Sequence, residues 1–296
     1  MAREVNTMSE LVSPKQVARA IGVSESSLKR WCDRGLIETI RTAGGHRKLA
    51  ISSVLEFIKT SGLNIADPAV LGLPASTGQG PRTLNAAQRQ LIKSLVADDE
   101  QACRQVVFDL VLANHKFSSI GDAVIAPAFA EIGEKWDCGE VEVYQERHSC
   151  EMCLRVLHEL RATLPAVDPD APLAMGGALA GDHYSLSTTL VELVLRENGW
   201  NAETLGNNLP AETLVHAIEQ KRPKLFWISA SHIADTPQFL LDVEQIYATA
   251  QANGAALAIG GRAMTEELRK QMTAHAFCDT LGHLESFAST LRPAST

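Results

Sequence analysis

The 296-residue chain predicts a multidomain α and α/β architecture: a winged helix-turn-helix head, a four-helix bundle, and a Rossmann-like doubly wound parallel five-stranded sheet. Three observations carry this reading. Two short helical segments around a Gly turn precede a basic Gly-Gly hairpin within the first 60 residues. From Leu84 to about Leu164 the apolar period is helical, and from Pro172 onward short apolar runs alternate with amphipathic segments.

Ser13-Pro14-Lys15-Gln16 reads as a helix start. Ser13 caps, Pro14 suits a first position whose N–H is not needed, and Gln16 completes a capping box. Val17, Ala18 and Ile21 share one face, and Gly22 stops the helix. Ser24-Glu25 opens a second helix to about Arg34, with Leu28 and Trp31 inward and Lys29 and Arg30 outward. Leu36–Arg41 and His46–Leu49 then flank Thr42-Ala43-Gly44-Gly45, a hairpin with a basic return strand. A second helix with basic outward residues suits the major groove, and a basic wing suits the phosphate backbone. The candidate DNA contacts are Ser26, Lys29, Arg30, Arg41, His46, Arg47 and Lys48. Operator duplex DNA is the expected partner.

Charge partitions in the same way. Residues 1–60 hold ten Lys/Arg against six Asp/Glu, a balance of +4, whereas the whole chain stands at −8 and the remainder therefore at −12. The basic footprint is thus confined to the head. No run approaches the roughly 18 apolar residues of a membrane span. Six scattered cysteines (32, 103, 138, 150, 153, 278) read as reduced thiols. A cytoplasmic regulator with no membrane partner is the expectation.

Residues 61–83, rich in Gly, Pro, Ala and Ser, read as a linker between a head at 1–60 and a bundle at 84–166. In the bundle, four helices are expected: one with Leu91, Ile92, Leu95 and Val96; Asp98 to Ala113; about Ser119 to Trp136; and about Val143 to Thr163. Cys150 and Cys153 share a face of the last helix beside Leu154 and Leu157. That places them in the core, since the second pair that a zinc site needs is missing, and no metal site is expected.

The Rossmann-like domain spans 167–296. Its strands are expected at Leu173–Ala180, Trp200–Leu205, Lys224–Ser229, Ala255–Ile259 and Phe277–Leu281. Ligands of such sheets lie at the carboxyl ends of the strands. Here those ends carry Gly181-Asp182, Gly206-Asn207, Ser229–Ser231 and Gly260-Gly261. No nucleophile elbow surrounds Ser185 or Ser187, and no enzyme activity is expected.

The run from Ser13 to Ile58, SPKQVARAIGVSESSLKRWCDRGLIETIRTAGGHRKLAISSVLEFI, resembles the N-terminal domain of MerR-type transcriptional regulators, especially those with a GGHR-like wing. Roughly residues 86–290 resemble the cobalamin-binding module of methionine synthase and of the light-responsive CarH/LitR repressors, which join it to a MerR-type head in this order. The matching marks are Gly181–Ser187, Leu205-Gly206-Asn207-Asn208-Leu209-Pro210, Ser229-Ala230-Ser231 and Gly260-Gly261-Arg262-Ala263. The family's Asp-x-His-x-x-Gly places Asp182 at the Asp, Tyr184 at the cobalt-ligating His and Ser187 at the Gly; His183 stands one position off. In the bundle, Trp136 and Glu146 match the family's upper-face Trp and Glu, while Asp137 and Arg147 stand where it has His.

The resemblance therefore implies a regulator whose C-terminal module governs homo-oligomerisation, as a dimer or tetramer. Its cofactor is adenosylcobalamin or another tetrapyrrole-like small molecule, or none if the module is only a scaffold. The implied cofactor contacts are Trp136, Glu146, Asp182, His183, Tyr184, Ser187, Gly206, Ser229, Ser231, Gly260 and Gly261. A sensor of a different chromophore or metabolite, or a corrinoid methyl carrier, is the alternative.

Overall fold

Ser13 caps the first helix as its sequence requires. In the computed structural model, which describes residues 11–80, 83–137 and 142–292, Gln16 N donates to Ser13 Oγ at 3.3 Å and Ser13 N donates to Gln16 Oε1 at 2.9 Å. The chain divides into two compact units. The first runs to His115 and includes Pro127–Pro165; the second takes Lys116–Ala126 and everything from Ala166.

In the first unit the head comprises β1 (Leu11–Val12), α1 (Pro14–Ala20), α2 (Glu25–Asp33), β2 (Ile40–Arg41), β3 (Arg47–Ala50) and α3 (Ile51–Ser61). The strands form an antiparallel sheet in the order β1-β3-β2, with Leu11 opposite Ala50 and Ile40 opposite Lys48. The hairpin turn needs its glycine: Gly45 has φ +78°, and Gly45 N donates to Thr42 O at 2.8 Å. Val17, Leu28, Ile37, Leu49 and Val54 are buried, and the Trp31 and Phe57 rings pack with centroids 5.2 Å apart. Each such side chain contributes about 1.5–3 kcal/mol by leaving water. Strand β1 and helix α3 complete the head beyond the elements its motifs announce.

The segment expected as a linker is packed. A 3-10 turn at Pro68–Leu71 buries both its ends, and Leu73 and Thr77 are buried too. Ala66 N and Asp67 N donate to Ala20 O at 2.7 and 3.0 Å, and Arg19 pairs with Asp67 at 2.9 Å. Farther on, side chains of α5 (Glu100–Leu112) hold its backbone. Arg104 donates to Gly72 O at 3.0 Å, Gln105 to Ser76 O at 2.9 Å, and the buried Asp109 carboxylate accepts from Gly78 N and Gly80 N. Composition conceals this strap because its partners are backbone groups gripped by side chains about one helix away.

The bundle consists of α4 (Leu84–Val96), α5, α7 (Ala126–Asp137) and α8 (Val143–Thr163). Leu91, Leu95, Val106, Leu110, Ile132, Met152, Val156 and Leu157 form its interior. The third expected helix departs from the reading. A short helix α6 (Phe117–Ile120) leads through a π turn at Gly121–Ile125 into α7, and residues up to Ala126 belong to the second unit. Pro127 explains the turn: it has no N–H, and its ring crowds the carbonyl of Ala123, so the hydrogen-bond ladder opens there.

The second unit holds a parallel sheet of β4 (Leu173–Gly177), β5 (Asn201–Thr204), β6 (Leu225–Ser229), β7 (Ala256–Gly260) and β8 (Ala276–Cys278), in the order β5-β4-β6-β7-β8. Between strands run α9 (Leu186–Glu197), α10 (Ala211–Lys221), α11 (Thr236–Ala252) and α12 (Glu266–Arg269), and α13 (Leu281–Leu291) follows. The apolar run of β6 is buried on both faces: Phe226 and Ile228 join one core cluster, and Leu225 and Trp227 the other. Residues 116–126 are bound into this unit. Glu197 accepts from Phe117 N at 2.8 Å, and Asp122 caps α13 by accepting from Leu281 N and Gly282 N at 2.8 and 3.0 Å. The strand order reverses between β4 and β6, which makes their carboxyl ends the topological switch point.

Candidate nucleic-acid interface and sheet-end site

The exposed side of α2 carries Ser26, Lys29 and Arg30. Ser26 Oγ lies 2.9 Å from Ser24 Oγ, the helix cap, and Lys29 pairs with Glu25 at 2.9 Å one turn earlier. On the wing, Arg41 and His46 are exposed and Lys48 is half-exposed.

Arg47 does not join them. Its guanidinium turns back to the last turn of α2, where Nη2 meets Asp33 Oδ1 at 2.7 Å and Nη1 donates to Lys29 O at 3.5 Å. The guanidinium expected at phosphate is engaged within the head, and the two-residue period of a strand is the reason. Arg47 shares its face with the buried Leu49, whereas Lys48 points the other way. That alternation was legible in the sequence.

At the sheet end, Asp182 is 2% exposed and fully engaged. Its Oδ1 accepts from Tyr184 N at 3.0 Å, and its Oδ2 accepts from Ser231 N at 2.6 Å and His232 N at 3.2 Å. It ties the loop after β4 to the loop after β6 across the switch point. Ser187 and Ser231 hydroxyls sit 2.9 Å apart. Arg262 donates from Nε to Ser231 O at 3.1 Å and lies over the Tyr184 ring, 5.0 Å from its centroid. Asp182, Tyr184, Ser187, Ser231 and Arg262 are thus brought together. The sequence reading missed Arg262 as a member of this cluster, although the Gly260-Gly261-Arg262 turn marked the right loop.

The glycines serve backbone packing. Gly206 (φ +97°) accepts from Ala178 N at 3.0 Å, and Gly261 (φ +121°) lies so close to β6 that a Cβ would stand 2.4 Å from Ala230 O. At Gly260 a Cβ would stand 2.6 Å from Cys278 O. Ser229 is buried at the end of β6, while His183 is exposed.

In the first unit, Glu146 is half-buried on α8, 3.8 Å from Arg147 Nε. The side chain of Trp136 and all of Cys138 lie outside the described residues. Cys103 and Cys153 are core residues; burial pushes the Cys103 thiol up to about 12 and raises Cys153 as well. Among the described residues no group of three metal-ligating side chains occurs, and no helix is long and apolar enough to cross a membrane.

This donor set tests the cofactor that the fold suggests. The resemblance puts the Tyr184 phenol where a cobalt-ligating imidazole is expected, and the Asp182 carboxylate expected to orient such an imidazole accepts three backbone N–H groups. The residues present do not fit ligation of cobalt by the protein from the sheet side.

Head and sheet together define a class: a helix-turn-helix module joined to a helical bundle and a five-stranded Rossmann-like domain. A helix-turn-helix family model matches residues 11–61, and a B12 binding domain model matches residues 87–161. The chain is 27% identical over 234 residues to the HTH-type transcriptional repressor CarH of Myxococcus xanthus, covering 72% of this chain and 76% of that protein. It is 22% identical over 225 residues to the repressor CarA of the same organism, covering 73% and 75%. The chain is a distant homologue of these MerR-type repressors. The monomethylamine corrinoid protein of Methanosarcina barkeri shares its fold, with a TM-score of 0.59 at 16% identity over 70% of this chain and 98% of that one.

Proposed function

We propose that this protein is a DNA-binding transcriptional regulator whose C-terminal half governs assembly, and that it carries no catalytic activity. The observation that carries the reading is the +4 head, in which Arg30 on α2 and Arg41 and His46 on the wing are exposed and Lys48 is half-exposed. One such head makes few phosphate contacts, so specific binding at cellular salt draws on several heads held on one oligomer. The CarH and CarA likeness across roughly three-quarters of each repressor supports the same reading.

Within it, the sheet-end loops are tied together by Asp182, by the paired hydroxyls of Ser187 and Ser231, and by Arg262. A corrinoid at this module is bound weakly and takes no cobalt ligand from Tyr184. Selection of bound duplexes from a random library, followed by salt-dependent gel-shift titration of the full chain, tests DNA binding. Absence of salt-sensitive binding at low ionic strength overturns the reading. Sedimentation with and without adenosylcobalamin, in light and in darkness, tests assembly; a monomer under every condition removes that part.

A further inference from the structure

The wing and the recognition helix of the head are joined by one side chain. Arg47 is largely covered (26% side-chain exposure), and its guanidinium meets three groups near the C-terminal end of α2. They are the Asp33 carboxylate at 2.7 Å, the Lys29 carbonyl at 3.5 Å, and the buried Cys32 thiol, whose pKa burial raises against the lowering effect of Arg47. A cation among the final carbonyls of a helix also sits favourably toward the helix dipole. Lys48, by contrast, lies on the other face of the hairpin opposite Ile40, while Arg41, opposite Arg47, is exposed at the strand end.

We propose that Arg47 is a positioning residue. It holds the wing at a fixed angle to α2, so that the wing's outward cations and the helix's outward side chains meet one duplex in register. This rests on the DNA-binding reading above and assigns Arg47 a part in it other than phosphate contact. A phosphate-contacting Arg47 and a strut make opposite demands on Asp33. If Arg47 contacts phosphate, Asp33 competes for it and adds a negative charge near the DNA, so Asp33→Asn tightens binding. If Arg47 is a strut, Asp33 is its anchor, and Asp33→Asn weakens binding.

The test is gel-shift titration of the full chain at several salt concentrations, each variant first checked by thermal melting. Asp33→Asn and Arg47→Ala should each weaken binding by about two- to fivefold, the fold-change a partly exposed ion pair is worth. The double variant should be no weaker than either single change, and the exchanged pair Asp33→Arg/Arg47→Asp should recover most of the loss. Asp33→Asn binding that is tighter or unchanged overturns the assignment. So does an exchanged pair weaker than Arg47→Ala, because an aspartate facing phosphate repels it. Wild-type protein that binds no DNA instead defeats the underlying reading, and the two failures are told apart by that control.

Discussion

Replacing Asp109 by Ala should loosen the strap between head and bundle without unfolding either. The carboxylate is 2% exposed and accepts from two amides, Gly78 N and Gly80 N, 31 and 29 residues away in sequence. A hydrogen bond to a charged group is worth about 1.5–3 kcal/mol net. Gly78 is exposed, so water replaces part of its bond, while Gly80 is half-covered. The loss is then about 2–4 kcal/mol, and because the Arg104 and Gln105 bonds persist it falls on local opening. Hydrogen exchange of the full chain reads this directly. The amides of residues 76–80 should exchange about 30-fold faster or more in Asp109→Ala, with the amides of α4 and α8 little changed. Unchanged exchange at 76–80 refutes the reasoning. So does wild-type protein whose 62–80 region exchanges as fast as an open chain, because Asp109 would then hold nothing.

Three further outcomes are expected. Lys48→Ala and Arg30→Ala, each removing an outward cation, should each lower the slope of log K against log salt by about one, measured by gel shift; an unchanged slope removes that residue from the interface. The Glu285 carboxyl feels burial, which raises its pKa, but its bonds to Lys116 and Ser118 prevail and hold it below the usual glutamate value. Its contribution is therefore complete above the ordinary carboxylate range and is lost as pH falls through the lowered value; Glu285→Gln should cost stability at pH 7 but little near pH 2, which urea melts at both pH values check. Adenosylcobalamin added to the wild type should give no histidine-ligated absorption spectrum and weak affinity, and Tyr184→His should tighten binding by supplying an imidazole at that position. A histidine-ligated spectrum of the unaltered protein would mean that His183 or another imidazole reaches cobalt.

What the sequence determined by itself was local. Ser13, Pro14 and Gln16 specify a cap through contacts three residues apart, and Gly45 specifies a turn through its own φ. The apolar runs around Phe226 and Leu257 specify strands buried on both faces. Alternation of such strands with helices determined a parallel sheet, and with it the end where Asp182 and Ser231 lie.

The inward turn of Arg47 belongs to this level too, since Leu49 two residues on already marked the inner face. What only tertiary structure decided were bonds between groups remote in sequence. Asp109 makes a strap of an apparent linker, Asp122 caps a helix 159 residues away, and Asp182 spends its Oδ2 on a loop about 50 residues away. Residue type and spacing show that a buried carboxylate needs donors. Which backbone amides supply them depends on how the chain has closed, and no local pattern records that.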